Sequence, residues 1–378
     1  MISKLKYIIN ILISLIIFPL YKITKRNKIW LFGSGNGLFE NNIAAFYDFI
    51  KNKEAHRNDR IYFITNDIAN IPIHIQKHAL IRGSIKCYCL SLISNYIIFD
   101  TCNSDVAPGI QKYLLGLKIY LNHGFEGLKK LPPDYYKKIK ADIYCSSSEE
   151  ENNIKVKFCG APEENTFITG YPRFDKIPPH NKKSIKNILY FPTWRPWLDG
   201  EQRDDTLISN YIDNIITLLS STRLHRYLEE NDCFLYYKPH HKVKHLNINK
   251  NIHKNIIFLD QKDNLTDIIA ITDILITDYS SVSWDYLFND RNVIFYAFDI
   301  DEYIDRQGLY YDIKTNETYC NNANEAITIL KKISEIELSK NAMTNIFFKY
   351  KDSNNCERLY SLIKNINYET KNYNVLNK

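Results

Sequence analysis

Two histidines stand directly after apolar segments that have the composition of buried strands. His123 lies in Leu121-Asn122-His123-Gly124, and His240 lies in Lys238-Pro239-His240-His241. Because an imidazole titrates near neutral pH, a histidine at a strand end can take the proton of an attacking hydroxyl. Lys238 and His240 together can bind a phosphate or stabilise charge that develops on it. Ordinary loop histidines are the alternative, since the chain contains ten histidines.

A cluster of hydroxyl and acidic residues follows the strongest strand-like segment of the second half of the chain. Thr277-Asp278-Tyr279-Ser280-Ser281 leads into Val282-Ser283-Trp284-Asp285. Hydroxyl and backbone N–H groups at the start of a helix can bind a pyrophosphate. Capping of the helix by Asp278 or a serine is the alternative, and the two roles are compatible. The pattern therefore predicts a phosphate site that includes Asp278, Ser280 and Ser281.

Two arginines add to the residues that can bind phosphate. Arg195 lies in Phe191-Pro192-Thr193-Trp194-Arg195, and Arg173 lies in Gly170-Tyr171-Pro172-Arg173. A guanidinium forms bidentate hydrogen bonds to phosphate oxygens, and we include Thr193 in the same candidate site. Because these cations can take over part of the role of a metal ion, we expect no obligatory metal and no bound cofactor.

Three other short patterns carry less information. Gly33-Ser34-Gly35-Asn36-Gly37 lacks the third glycine of the dinucleotide fingerprint and the lysine of a P-loop, and therefore predicts a turn. Asp299-Ile300-Asp301 resembles a metal-binding DxD site but has no further carboxylate ligands. The eight cysteines include no CxxC pair, which argues against a structural zinc site.

Apolar segments that end in Gly, Ser, Asn or Asp recur along the chain, as is typical of buried parallel strands. The first series lies at 28–35, 60–67, 95–103, 117–124, 141–148 and 166–173, and the second at 187–196, 233–241, 255–260, 273–281 and 292–299. The spacing leaves room for crossover helices. A Pro- and Lys-rich stretch at 176–184 separates the two series and has the composition of a linker.

The two series predict an α/β protein of two Rossmann-like domains that face a central cleft. The predicted boundaries are 28–180 and 181–378, and the second domain includes a helical tail from Glu325 to about Ile366. Because ligands of such sheets bind at the carboxyl ends of the strands, we expect the candidate residues to line that cleft.

The first 27 residues predict a membrane-associated helix. The apolar run at 7–21 is flanked on both sides by lysines, and as a helix it is about 22 Å long, shorter than the ~30 Å hydrocarbon core. Positive charge at both ends suits a helix that lies in the cytoplasmic leaflet. A helix packed on the core of the first domain is the alternative.

The composition is that of a globular protein, with 45% hydrophobic and 24% charged residues. The formal net charge of +6 suits an anionic substrate, an acidic membrane surface or a nucleic acid about equally well. Basic stripes interleaved with aromatic residues, which would favour a nucleic acid, are not evident in the sequence. We therefore expect no nucleic-acid partner.

Four segments in combination resemble the CDP-glycerol glycerophosphotransferase family, which includes teichoic acid glycerol- and ribitol-phosphate transferases and related capsule enzymes. They are GYPRFD (170–175), YFPTWRP (190–196), KPHH (238–241) and the long segment 273–303. The resemblance covers about residues 95 to 315 and implies a GT-B-like fold, with an acceptor domain followed by a CDP-donor domain. It also implies a location on the inner face of the bacterial membrane.

The resemblance also implies roles for individual residues. His123 matches the histidine of the family's His-Gly motif, a proposed base, and His240 matches the histidine that follows Lys-Pro. Ser280, Ser281 and Asp285 match positions that bind the donor. The predicted catalytic residues are therefore His123 and His240, and the predicted donor-binding residues are Arg173, Thr193, Arg195, Lys238, Asp278, Ser280, Ser281 and Asp285.

One segment departs from the pattern of the family. Where the family usually reads His-Gly-Thr-Pro-Leu-Lys, this chain has His123-Gly124-Phe125-Glu126-Gly127-Leu128-Lys129. We expect this loop to face the acceptor, so a capsular or lipopolysaccharide sugar is a candidate acceptor beside a teichoic acid chain.

The activity implied by the resemblance is transfer of glycerol phosphate or ribitol phosphate from CDP-glycerol or CDP-ribitol to a hydroxyl of a membrane-linked surface polymer, with release of CMP. The expected partners are this donor, a lipid-linked glycan or polyol-phosphate acceptor and the membrane surface, and a homo-oligomer is left open. A GT-B glycosyltransferase that uses a nucleotide sugar is one alternative. A non-catalytic scaffold of a polymer-export complex is another, against which both histidines and the TDYSS cluster argue.

Overall fold

The computed structural model describes residues 2–23, 27–54, 58–177, 185–198, 205–240, 252–260, 263–335, 342–367 and 372–373. The chain forms two compact units. The first comprises Met1–Phe125, Leu131–Lys176 and Phe348–Lys378, and the second comprises Glu126–Lys130 and Ile177–Phe347. Residues 178–184 of the predicted linker lie outside the described residues, as does His241.

The first unit alternates short apolar strands with helices. Its elements before the second unit are α1 (Ile2–Ile23), β1 (Ile29–Gly33), α2 (Asn41–Lys53), β2 (Arg60–Thr65), α3 (Ile73–Gln76), β3 (Ala79–Ile81), α4 (Ile85–Ile93), β4 (Tyr96–Phe99), β5 (Leu117–Tyr120), β6 (Ile143–Ser146), α5 (Glu149–Asn153) and β7 (Thr166–Ile168).

These strands form one parallel sheet in the order β3-β2-β1-β4-β5-β6-β7. The order from β3 to β6 is that of a doubly wound nucleotide-binding sheet. In such a sheet the strand order reverses between two neighbouring parallel strands, which here are β1 and β4. Every residue of β1 and β4 is buried, which explains the continuous apolar runs in the sequence. The sequence did not predict β3, because an edge strand of three residues leaves too short a pattern.

The second unit repeats this plan. Its elements are β8 (Asn187–Tyr190), α6 (Asp205–Leu219), α7 (Thr222–Glu230), β9 (Phe234–Tyr237), β10 (Ile256–Phe258), α8 (Leu265–Ile271), β11 (Ile274–Thr277), α9 (Ser283–Phe288), β12 (Val293–Tyr296), α10 (Ile300–Arg306), β13 (Tyr319–Cys320), α11 (Ala323–Glu335) and α12 (Ala342–Phe347).

The sheet of the second unit is also parallel, in the order β10-β9-β8-β11-β12-β13. Its strand order reverses between β8 and β11. These two strands precede the Thr193–Arg195 segment and the TDYSS cluster. The prediction of two parallel α/β sheets is therefore confirmed. Only the edge strand β13, which has two residues, was not predicted.

The C-terminal part of the chain differs from the predicted boundary. The sequence assigned all of 181–378 to the second domain, whereas Phe348–Lys378 belongs to the first unit. This segment contains α13 (Asn355–Asn365), β14 (Ile366–Asn367) and β15 (Asn372–Tyr373).

Buried polar contacts explain why α13 belongs to the first unit. The carboxylate of Asp175 accepts hydrogen bonds from the backbone N–H groups of Asn355 (3.0 Å) and Cys356 (2.7 Å) at the start of α13. In the middle of α13, the Tyr360 hydroxyl donates to the buried carboxylate of Glu54 at 2.7 Å. A sequence-based boundary could not include these contacts, because their partners lie more than 100 residues apart.

The N-terminal helix α1 packs against the first unit along one face only. The Asn10 side chain donates to the Gly83 carbonyl at 2.9 Å, and the buried Ser14 carbonyl accepts from the Cys89 thiol of α4 at 3.7 Å. Its other face exposes large apolar side chains, namely Leu5, Ile8, Ile9, Leu12, Leu15, Ile16, Leu20 and Ile23. By length and composition Leu5–Ile23 is sufficient to cross a membrane, with a mean hydropathy of 1.6.

Candidate functional site

The loops after β1 and β4 meet at the point where the strand order of the first sheet reverses. The Gly35 N–H donates to the Asp100 carboxylate at 3.1 Å. A side chain at Gly35 would place its Cβ 2.4 Å from the Thr101 hydroxyl, so only glycine allows this approach. The Gly37 N–H donates to the Ser34 carbonyl at 3.0 Å, which confirms the predicted turn.

His123 follows β5 and faces this buried carboxylate. Its Nδ1 lies 3.7 Å from Oδ2 of Asp100, and 59% of the His123 side chain is exposed against 2% for Asp100. Interaction with Asp100 raises the pKa of His123, while burial and Arg173 oppose the shift and Glu40 supports it. With Nδ1 turned toward Asp100, Nε2 is the ring nitrogen that remains for a substrate proton. Asp100 is a residue that the sequence reasoning missed, although it ends the apolar segment 95–103.

A buried asparagine fixes the turn that carries His123. Asn122 has a positive φ of 60°, a strained conformation that needs support from its surroundings. The Asn42 amide donates to the carbonyls of Leu121 and Asn122, both at 3.0 Å, and accepts from the Arg173 backbone N–H at 3.1 Å. Asn42 therefore joins the His123 turn to the segment that carries Arg173.

A second buried network lies on the other side of this turn. The Asn122 amide donates to the Tyr171 hydroxyl at 2.8 Å, and that hydroxyl donates to the Glu151 carboxylate at 2.5 Å. The Lys155 ammonium donates to the same hydroxyl at 2.6 Å and lies 3.3 Å from the Glu151 carboxylate. Because the charges of Lys155 and Glu151 are paired and hydrogen-bonded, the network can be buried at tolerable cost.

Arg173, a predicted donor-binding residue, lies in the first unit close enough to His123 to lower its pKa. Its guanidinium sits 4.9 Å from the ring centre of Phe174, and its exposed fraction is 9%. The aromatic contact helps to hold the guanidinium in place.

In the second unit, Arg195 is the centre of an ion-pair network. Its guanidinium donates to both carboxylate oxygens of Asp299, at 2.6 and 2.8 Å, and to Asp278 at 2.8 Å. Burial alone would lower the pKa of Arg195, but the charges of Asp278 and Asp299 outweigh burial and hold that pKa above its ordinary value. With 1% exposure and two carboxylate partners, Arg195 connects the loops around it, and its predicted contact with the donor stays a prediction.

Asp278 connects the Thr193–Arg195 segment to the TDYSS cluster, at the point where the strand order of the second sheet reverses. Its carboxylate accepts from the backbone N–H groups of Thr193 at 2.9 Å and Tyr279 at 2.6 Å, in addition to Arg195. The structure thus brings Thr193, Arg195 and Asp278 together. The other partner of Arg195, Asp299, follows β12 and directly precedes α10. It was not among the predicted site residues because its sequence pattern resembled a weak metal motif.

Ser280 and Ser281 form the turn that precedes α9. The Ser280 hydroxyl accepts the Val282 N–H at 3.2 Å, and its carbonyl accepts the Ser283 N–H at 3.1 Å. Ser280 is buried and Ser281 is half-buried, while Asp285 is buried in the first turn of α9, which has six residues. The hydroxyl of Ser280 therefore stabilises the local turn, a role that is compatible with the predicted phosphate site.

Lys238 and His240 follow β9, beside β8 in the sheet. The Lys238 ammonium donates to the carbonyls of Asp260 and Asp263 at 2.9 and 3.0 Å. The His240 imidazole stacks on Trp194, with ring centres 6.0 Å apart and planes inclined by 14°. His240 therefore lies next to the Thr193–Arg195 segment, and its catalytic role stays a prediction.

Within the described residues, no group of three or more His, Cys, Asp or Glu side chains is arranged to hold a metal ion. The two carboxylates of the Asp299-Ile300-Asp301 pattern pair with different cations. Asp299 pairs with Arg195, and Asp301 pairs with Lys314 at 2.7 Å.

Comparison with known proteins gives one consistent family. The family described as CDP-Glycerol:Poly(glycerophosphate) glycerophosphotransferase matches residues 15–365 of the chain. The Minor teichoic acid biosynthesis protein GgaB of Bacillus subtilis (strain 168) is 24% identical over 93% of this chain and 41% of its own length. The teichoic acid ribitol-phosphate polymerase TarL of Staphylococcus aureus (strain NCTC 8325 / PS 47) is 32% identical over 43% of this chain and 30% of its own length. The chain spans less than half the length of these two relatives.

Solved structures agree with the fold. The wall teichoic acid polymerase TagF superposes with a TM-score of 0.67 at 17% identity, covering 96% of this chain and 97% of that chain. The UDP-GlcNAc 2-epimerase from Neisseria meningitidis gives a TM-score of 0.53 at 9% identity, covering 91% of this chain and 100% of that chain. These likenesses confirm the predicted GT-B-like fold class.

Proposed function

Because the chain belongs to the CDP-glycerol:poly(glycerophosphate) glycerophosphotransferase family, we propose that it transfers glycerol phosphate or ribitol phosphate from a CDP-alditol to a hydroxyl of a cell-surface polymer, releasing CMP. The observation that carries this proposal is the pair of Asp100 and His123 at the carboxyl ends of β4 and β5. A histidine paired with a buried carboxylate at such a position suits proton transfer from a hydroxyl.

The names of the relatives support a CDP-alditol as the donor. They include a teichoic acid ribitol-phosphate polymerase and a teichoic acid glycerol-phosphate primase, and a histidine variant of TagF was solved after a soak with CDPG. Glycerol and ribitol therefore both remain candidates for the alditol. The acceptor that we propose is a lipid-linked teichoic acid, capsule or lipopolysaccharide chain.

In the proposed reaction, Nε2 of His123 takes the proton of the acceptor hydroxyl. The acceptor oxygen then forms a bond to the alditol-bearing phosphorus, the bond from that phosphorus to the oxygen bridging to the CMP phosphate breaks, and CMP leaves with the electron pair. Such phosphoryl transfer depends mainly on positioning and charge stabilisation. We assign charge stabilisation to His240, Lys238, Ser280 and Ser281, and donor contacts to Arg173, Thr193 and Asp285.

The buried network of the second unit has a supporting part in this proposal. Arg195 and Asp278 hold the Thr193 backbone and the TDYSS turn in fixed positions, so that these segments are preorganised for the donor. Preorganisation lowers the cost of ordering the loops when the donor binds. The reaction thereby gains from both residues although neither needs to touch the transferred group.

We also propose that α1 attaches the protein to the cytoplasmic face of the membrane. Its exposed apolar face and the exposed Lys6 and Lys22 suit a helix lying at the boundary between headgroups and acyl chains. Because the opposite face packs on α4, this orientation keeps the contacts of α1 with the first unit. An acceptor linked to a lipid would be presented at the same surface.

The direct test is release of CMP from CDP-glycerol and from CDP-ribitol by the purified protein with a lipid-linked acceptor. We expect release from one of the two donors and a fall in kcat/KM of about 10²- to 10⁴-fold in His123→Ala, the range for loss of a general base. His74→Ala, which changes a histidine of α3, serves as the matched control. Release of UDP or GDP from a nucleotide sugar, with no CMP from either CDP-alditol, would replace this proposal with a glycosyltransferase.

A further inference from the structure

The loop that follows His123 belongs to the second unit. The chain leaves the first unit at Phe125, and Glu126–Lys130 is part of the second. The Tyr310 N–H donates to the Leu128 carbonyl at 2.7 Å, the Lys130 N–H donates to the Gly308 carbonyl at 3.1 Å, and Lys129 forms an antiparallel bridge with Leu309. The sequence led us to expect this loop at the acceptor, whereas its contacts lie within the unit that we propose binds the donor.

Gly127 brings the loop close to the start of α9. A Cβ at Gly127 would lie 2.4 Å from Cζ2 of Trp284, a distance that side chains do not tolerate. Trp284 lies three positions after the TDYSS cluster and is fully buried. The glycine therefore lets the backbone pack against the same segment that is proposed to hold the phosphates.

The Lys129 ammonium lies within electrostatic range of Asp278 and Arg195. Asp278, Arg195 and Glu126 all act on it electrostatically, while burial lowers its pKa. In the described parts of the chain, no carboxylate forms an ion pair with Lys129. Asp278 is already engaged by Arg195 and by the backbone N–H groups of Thr193 and Tyr279.

A partly buried ammonium without a paired anion is costly in the absence of a ligand. A bound anion offsets this cost, and so such a group binds anions more strongly than an exposed lysine does. The diphosphate of a nucleotide donor carries two negative charges and suits a compact ammonium beside fixed backbone groups.

We propose that Lys129 binds the diphosphate of the CDP-alditol donor, as a donor-binding residue additional to those of the TDYSS turn. This inference rests on the proposed function. Lys129 is six positions after His123 in the chain, so one short segment carries both the proposed base and a ligand of the donor.

The test compares the binding of CDP with the binding of cytidine, which has the same base and ribose but no phosphate. Dissociation constants are measured by calorimetry for CDP and by NMR titration for cytidine, with the intact chain. We expect Lys129→Met to weaken CDP binding about 10- to 100-fold and to change cytidine binding less than about 2-fold, while Lys129→Arg recovers most of the affinity for CDP. Lys130→Met is the matched control, because Lys130 is the neighbouring lysine of the same loop, with its backbone N–H bonded to Gly308, but its side chain is exposed.

Each outcome separates the inference from the proposed function. Equal CDP affinity in the wild type and Lys129→Met overturns the inference and leaves the proposed function intact. An equal loss of affinity for CDP and cytidine also overturns it, since Lys129 would then support the structure alone. Failure of the wild type to bind CDP at all rejects the proposed function, and the inference with it.

Discussion

At the scale of single residues, a buried carboxylate raises the pKa of an exposed imidazole. Asp100 is held by the Gly35 N–H and the Thr101 hydroxyl, and its negative charge raises the pKa of His123. A raised pKa makes the imidazole a stronger base but reduces its neutral fraction at acidic pH. The activity of the enzyme should therefore decrease as the pH falls through the pKa of His123.

The substitution Asp100→Asn tests this relation. Because a base must be neutral to accept a proton, kcat/KM decreases on the acidic side of the profile at the raised pKa of His123. Removal of the Asp100 charge lowers that pKa, so we expect the acidic limb to move to lower pH and the maximum kcat/KM to fall about 10²-fold. The pH profile of kcat/KM is the measurement, with the exposed Asp134→Asn as control. An acidic limb at the same pH in both variants would contradict the pairing.

The sequence indicated His123 but not the residues that orient it. A histidine after a strand is visible as a local pattern, whereas the Asp100 contact depends on the adjacency of β4 and β5 in the sheet. Arg195 presents the reverse case. Its motif predicted a ligand contact. The two carboxylates that pair with it, Asp278 and Asp299, follow β11 and β12, and no local pattern connects them to Arg195.

At the scale of elements, Asn42 of α2 holds together the end of β5 and the segment of Arg173. Loss of its amide leaves two carbonyls and one N–H without partners, each at a cost of about 1–3 kcal/mol when buried. We therefore expect Asn42→Ala to lower the free energy of unfolding by about 2–4 kcal/mol and to reduce kcat by more than it raises KM for the donor. Urea unfolding and steady-state kinetics measure the two effects.

The matched control for Asn42 is Asn70→Ala, which changes an exposed asparagine of the same unit. This substitution should leave the free energy of unfolding and the kinetic constants near the wild-type values. If Asn42→Ala retains full kcat in spite of a lower stability, Asn42 supports the fold and not the position of His123.

The exposed face of α1 gives a second prediction at this scale. Ile16 is 79% exposed on this face, and burying an isoleucine side chain contributes about 1.5–3 kcal/mol. We therefore expect Ile16→Asp to weaken binding to vesicles of anionic lipids about 10- to 100-fold. Flotation of the purified protein with such vesicles measures this.

Ile73→Asp is the control for the membrane prediction, because Ile73 is 84% exposed but lies on α3. The same change of charge at that position should leave vesicle binding unaltered. Equal losses from both substitutions would indicate general repulsion from the anionic surface and not insertion of α1.

At the scale of the whole molecule, the sequence predicted two parallel α/β units because each central strand is a buried apolar run followed by polar residues. It could not assign the ends of the chain to these units. The contacts of α13 with Asp175 and Glu54 join residues that are distant in sequence, and the amphipathic pattern of a helix indicates that it packs, but not on which unit. The loop Glu126–Lys130 was expected at the acceptor because its sequence departs from the family pattern, whereas its place in the second unit depends on contacts with residues 308–310.

The substitution Asp175→Ala tests the attachment of α13. It removes the acceptor of three hydrogen bonds from Asn355 and Cys356, and we expect a loss of about 2–4 kcal/mol of stability. Hydrogen exchange should show faster exchange in β1, β4 and α13, with β8 and β11 unchanged. Equally faster hydrogen exchange in both units would show that the Asp175 contact also stabilises the second unit.

The division of the first unit into separate segments has a consequence for synthesis on the ribosome. Roughly 170 residues lie between Lys176 and Phe348, and at about 5–20 residues per second their translation takes about 10–35 s. During this interval the nascent first unit exposes the surface that α13 later covers, including the buried carboxylate of Glu54. The seven strands of the first sheet are all translated before this interval, so the first unit lacks only its C-terminal segment during it. The nascent chain should therefore depend on chaperones for its N-terminal half until the last helix leaves the ribosome.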